Sequence, residues 1–330
     1  MTGRLVIALA LAAGLLAAAA ALAACGGTEE EAEEDTSVEV TCTPAPVPDR
    51  LTLGVELEQG GRIPFTYEVE RDDTGDEGES FADSAEGEIA IGARSDRGRE
   101  IEWRLPERGV AFVLAGQGSP DEIESGLGEA VASGEVAVPF NIQEDGRVSR
   151  ETNIRALQRT VRETLRPIFT RLREEAPGEV SAEQASLLGR ALGLKLVEKP
   201  GLMLYAYGYK LDPDRVVSRS QRSITAGGRI NLVEEIEVLD QESEGGCVVV
   251  EIRDVFDPDE LEARVGEIGE IFGTFDADDT GDLDADFRST IHYDATVGLI
   301  RLVEYERVVA DGDRTVRVVD RFQISGPVGP

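Results

Sequence analysis

The sequence predicts an α+β fold: a curved antiparallel β-sheet, half-barrel-like, with helices packed on its concave face. Three observations predict it. Apolar and polar residues alternate with a period of two over most of the chain, as half-buried antiparallel strands require. Residues 150–194 switch to helical spacing, so the order runs strands, helices, strands. An apolar fraction of 41% in 330 residues is enough to build a core.

The elements follow in chain order. Leu51, Leu53, Val55 and Leu57 alternate with Thr52, Gly54, Glu56 and Glu58. Ile63, Phe65, Tyr67 and Val69 alternate with Pro64, Thr66, Glu68 and Glu70. Arg71 to Ser84 reads as an acidic Gly/Asp/Ser loop, and strands are expected at Gly87–Arg94, Glu100–Leu105, Gly109–Leu114 and Glu135–Gln143. Arg150 to Glu175 places Ile154, Leu157, Val161, Leu165, Ile168 and Leu172 on one helical face, with Pro167 kinking or splitting it. Ser181-Ala182-Glu183-Gln184 resembles a capping box and opens a second helix to about Leu194. Strands then fall near Val216–Thr225, Arg229–Asp240 and Gly246–Val255. A helix and three strands, Asp286–Asp294, Leu299–Val309 and Thr315–Ser325, finish the chain, with Asp311-Gly312 as the last hairpin signal.

Two stretches echo each other. Glu107 to Val113 is an apolar run opened by Gly and followed by Ser119-Pro120-Asp121-Glu122; Glu244 to Val250 is another, followed by Asp257-Pro258-Asp259-Glu260. Each pair reads as a strand leading into a capped helix with Pro at its first position. Chance and a duplicated β/α unit both fit, the halves being 50–150 and 200–330 joined by helices 151–198.

The N-terminus carries an address. Arg4 precedes an uncharged apolar stretch from Leu5 to Ala24, the layout of a signal peptide. Leu22-Ala23-Ala24-Cys25 resembles the bacterial lipobox. That resemblance implies a signal peptide over 1–24, a lipidated Cys25 and anchoring to the outer face of the cell membrane. Residues 25–49 then read as an acidic tether, with six acids between Glu29 and Asp35, and 50–330 as a single domain. The other two cysteines, Cys42 and Cys247, are expected to form a disulfide in an exported chain.

Charge excludes several classes. With 33 Lys and Arg against 66 Asp and Glu, the net charge is −33, which rules out a general nucleic-acid binder. Arg147 to Arg173 is a basic island of eight Arg, expected to face solvent or the protein's own carboxylates. Catalytic patterns are missing: the single histidine, His292, lacks a G-x-S-x-G partner, and no P-loop, C-x-x-C or G-x-G-x-x-G occurs. Asp276, Asp278, Asp282 and Asp284 follow EF-hand spacing, but Phe287 stands where the bidentate Glu belongs, so a solvated loop is the better reading. No cofactor and no enzymatic activity are expected.

Lipobox, tether and element order are similar in layout to envelope lipid-carrier lipoproteins of the LolA/LppX/LprG kind. The resemblance implies a non-enzymatic carrier holding a lipid or other apolar ligand between sheet and helices. Tyr205, Tyr207 and Tyr209, expected on one strand face, and Leu157, Val161 and Leu165 are the candidate ligand-binding residues. The alternative is a structural or protein-interaction lipoprotein with a packed core and no small ligand.

Overall fold

The computed structural model describes residues 51–53, 60–74, 80–149, 198–257 and 283–324, apart from 96–97, 116–118, 128–132, 144–147, 226–227, 241–246 and 312–313, together with 40, 42, 166 and 170. The signal peptide, Cys25, the acidic tether, Leu157, Val161, Leu165, Asp276, Asp278 and Asp282 lie outside these residues. So do the predicted helices over 150–175 and 181–194, except that Arg166 and Thr170 are helical and exposed; the capped helix expected from Ser119-Pro120 is present over Pro120–Leu127, with the Glu122 amide donating to Ser119 Oγ at 3.2 Å.

Strands dominate. The described elements are β1 (Leu51–Thr52), β2 (Arg62–Asp73), β3 (Phe81–Ser95), β4 (Gly98–Leu105), α1 (Gly109–Leu114), α2 (Pro120–Leu127), β5 (Val136–Ile142), β6 (Val148–Ser149), α3 (198–204), β7 (Lys210–Leu211), β8 (Val217–Thr225), β9 (Gly228–Asp240), β10 (Val248–Phe256), β11 (Leu283–Asp294), β12 (Leu299–Asp311) and β13 (Arg314–Ile324). All strands but β1 and β7 join one antiparallel sheet of eleven in the order β6-β5-β4-β3-β2-β13-β12-β11-β10-β9-β8. Ten strands are long, and β6 adds two residues. The sheet is open, neither closed nor strongly curled, which corrects the expected half-barrel. Closure needs the two edge strands to pair, and a two-residue β6 offers β8 almost no ladder.

The topology is two meanders joined in the middle. From β2 the chain steps outward to the β6 edge; from β8 it steps inward to β13, which pairs with β2. The edges are ten inter-strand steps apart, about 48 Å at ordinary strand spacing. The segment from 150 to 216 makes that crossing, and its described part, around α3, packs on the core face of the sheet.

Side-chain alternation sorts the two faces. On β2, Ile63, Phe65, Tyr67 and Val69 are buried, and Phe65 and Tyr67 are fully so. Facing strands supply Trp103 and Phe322. Phe65 stacks on Trp103 at 5.5 Å, and Tyr67 on Phe322 at 4.6 Å between ring centres. The opposite face is wet and carries cross-strand Arg–Glu pairs: Arg321 bonds Glu304 at 2.8 Å and Glu68 at 3.1 Å, and Arg317 bonds Glu306 at 2.6 Å. These partly buried pairs seat the arginines among carboxylates.

Several expectations change. Gly109–Leu114 is a helix, α1, with all six residues buried. A continuous apolar run fits a buried helix as well as a buried strand. Here β4 and β5 already pair directly, so the ladder has no room for a strand between them. The strand half of the echo with Gly246–Val255 therefore fails, because one run is helix and the other is β10; the capped helix after the first run is present as α2, and the one expected after Asp257 lies outside the described residues. Of the alternating run from Leu51, the described residues hold β1, which pairs with β7 outside the main sheet, and Gly54 to Glu58 lie outside them.

The disulfide is present. Cys42 and Cys247 are joined, with Cα atoms 4.9 Å apart and 205 positions between them. The last hairpin closes as Asp311 opposite Arg314.

Candidate functional site

Register places polar groups in rows across the core face. Val217, Ile236, Ile252, Ser289, Tyr305, Asp320 and Val69 oppose one another strand by strand. The next row reads Arg219, Glu234, Asp254, Phe287, Arg307, Val318 and Arg71. A sheet face that should be apolar thus carries two polar clusters where the crossing segment docks.

The first cluster is centred on Asp320. Its carboxylate and the Lys199 ammonium from α3 are both fully buried and form an ion pair. Tyr67 donates its hydroxyl to Oδ1 at 2.6 Å, and Arg307 donates to Oδ2 at 2.6 Å. Arg307 also reaches Glu198 at 3.4 Å, so two cations meet two anions. Burial by itself would raise the Asp320 carboxyl, but Lys199 and Arg307 reverse this and hold it down to about 2. The Lys199 ammonium also lies 5.7 Å from the Tyr67 ring centre. Two buried charges of opposite sign tolerate this site because each has hydrogen-bond partners; removing one partner would strand the other.

The second cluster lies toward the β8 edge. Glu234 and Asp254 oppose each other on β9 and β10. Glu234 accepts from Tyr209 Oη at 3.3 Å and Gln221 Nε2 at 3.1 Å. The Arg219 guanidinium sits 4.5 Å from the centre of the Tyr209 ring. Burial, and then the Glu234 charge, push the Asp254 carboxyl up to about 7. Beside it, half-buried Phe256 and Phe287 meet edge-on at 4.9 Å, and Phe287 meets Tyr305 at 6.4 Å.

The tyrosines predicted to share a strand face do not. Residues 205–208 form turns after α3, with Gly208 at φ 84°. That left-handed backbone suits glycine and closes the turns that follow the helix. Leu53 brackets the turn, donating to Tyr209 O at 2.9 Å and accepting from Gly208 N at 2.7 Å. Tyr207 is buried, and its hydroxyl accepts from the Ile300 amide at 2.9 Å. Tyr205 hydrogen-bonds with Ser289 and meets Tyr209 edge-on at 6.0 Å. Of the predicted site residues, the structure brings Tyr205 and Tyr209 to the second cluster and sends Tyr207 into packing.

Other candidates resolve simply. His292 is half-buried on β11, and burial lowers its pKa, with Glu304 opposing. Asp284 is part of β11, opposite Ala310. Among the described residues, no group of three or more His, Cys, Asp or Glu could hold a metal ion. Asp294 is buried and shapes the β11–β12 turn: its Oδ1 accepts from Thr296 N at 3.1 Å, and its Oδ2 pairs with Arg301 at 3.2 Å. Sequence reasoning missed Lys199, Arg307 and Asp320. The available signal was Lys199 itself, one of only three lysines, sitting directly before Pro200 in an apolar stretch.

No family model matches the chain, and no curated protein matches it in sequence. It has a distant structural match. A structure of lipovitellin, described for its lipid–protein interactions, is 9% identical with a TM-score of 0.37, over 83% of this chain and 26% of that one. The chain thus spans about a quarter of the length of the chain it matches. At that score the likeness assigns no residue a role.

Proposed function

We propose that this chain is an envelope lipoprotein, anchored through Cys25 to the outer face of the cell membrane, that binds an apolar ligand without catalysis. The observation that carries the reading is a contrast within one sheet face. Over β2–β4 and β13 the face is closed by Phe65, Tyr67, Trp103 and Phe322, each almost fully buried. Toward the β8 edge its aromatic rings, Phe256, Phe287 and Tyr209, are only half-buried. Half-buried rings beside a few polar groups are what an apolar ligand site offers. The Cys42–Cys247 disulfide fits an oxidising compartment, and the lipobox supplies the address. The layout resemblance to envelope lipid carriers agrees with this reading.

The test uses the full chain extracted from the envelope of its own host. Native and denaturing mass spectra are compared. The lipid anchor is covalent and stays in both, whereas a bound ligand leaves on denaturation. A native mass exceeding the denatured mass by one lipid-sized ligand is expected, with occupancy reduced by Phe287→Asp. Equal masses, with no lipid released, would overturn the carrier reading.

A second reading, an interaction lipoprotein without a small ligand, draws on a different observation. Val216, Val233, Leu239 and Val255 are exposed on or beside β8, β9 and β10, and β8 is an edge strand. Exposed apolar residues beside a free edge suit a protein partner.

A further inference from the structure

We propose that Lys199 and Asp320 are joined covalently, by an amide bond between Lys199 Nζ and Asp320 Cγ. The two side chains are fully buried and paired, on elements 121 positions apart. Burial holds amine and carboxyl together in a dry site, where a bimolecular condensation becomes an intramolecular one of high effective concentration.

The surrounding groups suit that condensation. The ammonium carries the protons that the reaction needs. One passes from Nζ to Oδ1, leaving a neutral amine and a carboxylic acid. The nitrogen lone pair then attacks Cγ, and the negative charge gathers on Oδ2, where the Arg307 guanidinium already donates at 2.6 Å. A second proton moves from nitrogen to Oδ1. The Tyr67 hydroxyl, 2.6 Å from that oxygen, is placed to relay it. The Cγ–Oδ1 bond breaks, one water leaves, and the amide keeps Oδ2 as its carbonyl oxygen. No oxidant, reductant or activated co-reactant enters: an ammonium and a carboxylate become an amide and water.

Charge balance favours the product. The cluster holds Lys199 and Arg307 against Asp320 and Glu198. Condensation removes one cation and one anion together and leaves Arg307 matched with Glu198. The desolvation cost of the buried ion pair disappears, and the new carbonyl keeps the Arg307 hydrogen bond. The bond would staple the crossing segment to the middle of the sheet, at β13.

Peptide mapping of the full chain decides the matter. Trypsin releases residues 196–210 as one peptide, because Pro200 protects the bond after Lys199, and residues 318–321 as another. The expected product of the reduced, denatured protein is a single branched peptide joining the two, lighter than their sum by one water. The intact chain should lack the same mass. In Lys199→Arg, which keeps the charge but cannot make this amide, both linear peptides should return. Recovery of both unmodified linear peptides from the wild-type protein overturns the proposal, whether or not any variant folds.

Discussion

Asp254 sits where its charge is costly, facing Glu234 across two strands and shielded by Phe256, Phe287 and Tyr205. Its folded value of about 7 lies above the ordinary carboxylate range. A raised acid binds its proton more tightly in the folded state than in the unfolded one. Between roughly pH 4 and 7 the folded chain therefore holds the extra proton, and stability falls as pH rises through that window. Asp254→Asn removes the titration. The variant should melt close to the wild type near pH ~4 and be the more stable by on the order of 1–3 kcal/mol near pH ~8. Paired thermal melts at the two pH values check this; a variant less stable at both would contradict the assignment. At this scale little was legible beforehand. Asp254 and Glu234 look like any other acids among 66, and only strand register sets them face to face. Lys199 offered only its rarity and its apolar surroundings, and its partner is set by residues more than a hundred positions away.

Most elements with one wet face were legible, although the start of β3 over Phe81–Ser84 was read as loop. β2, β4, β5 and β8–β13 alternate, and their expected spans agree with the observed ones to within a few residues. The failures have separate causes. In α1 every residue is buried, so no polar phase marks the period. In the 205–209 stretch, alternating tyrosines mimic a strand while Gly208 at φ 84° enforces a turn. Close packing between elements yields a prediction at Gly87 on β3. A Cβ there would meet the Phe65 ring at 2.3 Å and the Arg104 carbonyl oxygen at 2.8 Å. Gly87→Ala must push Phe65 off Trp103, costing about 1–3 kcal/mol as an overpacked core does. Trp103 is the only tryptophan and is fully buried, so its emission should shift to the red and the denaturation midpoint should fall. Unchanged emission and midpoint would mean that the ring has somewhere else to go.

The whole molecule is a wide sheet whose far edges are linked by one crossing segment. A disulfide closing 205 positions removes much of the unfolded chain's freedom, worth about 5 kcal/mol in the chain-entropy picture. Cys247→Ser should therefore lower the unfolding free energy by an amount of that order, and reducing agent should do the same to the wild type but leave the variant unmoved. A variant with wild-type stability would show that the covalent tie is idle. The charge of −33 also reads differently at this scale. Among the described residues, Arg317 and Arg321 on the wet face already pair with neighbouring carboxylates, so part of the acid there is locally balanced.

The pairing of β2 with β13 has a consequence for how such a chain is made. Arg321 and Glu68, which meet across that seam, are 253 positions apart. Each meander can assemble from neighbours in sequence, but the seam between them cannot begin until the last strand is available. A chain threaded through a membrane from its N-terminus would hold its two half-sheets apart, each with an open inner edge, until the C-terminus emerges. The most long-range ladder among the described strands is then also a timer: completion of the sheet waits on completion of the chain, and a chain cut short of β13 keeps two sticky edges that proteases and chaperones can read as unfinished.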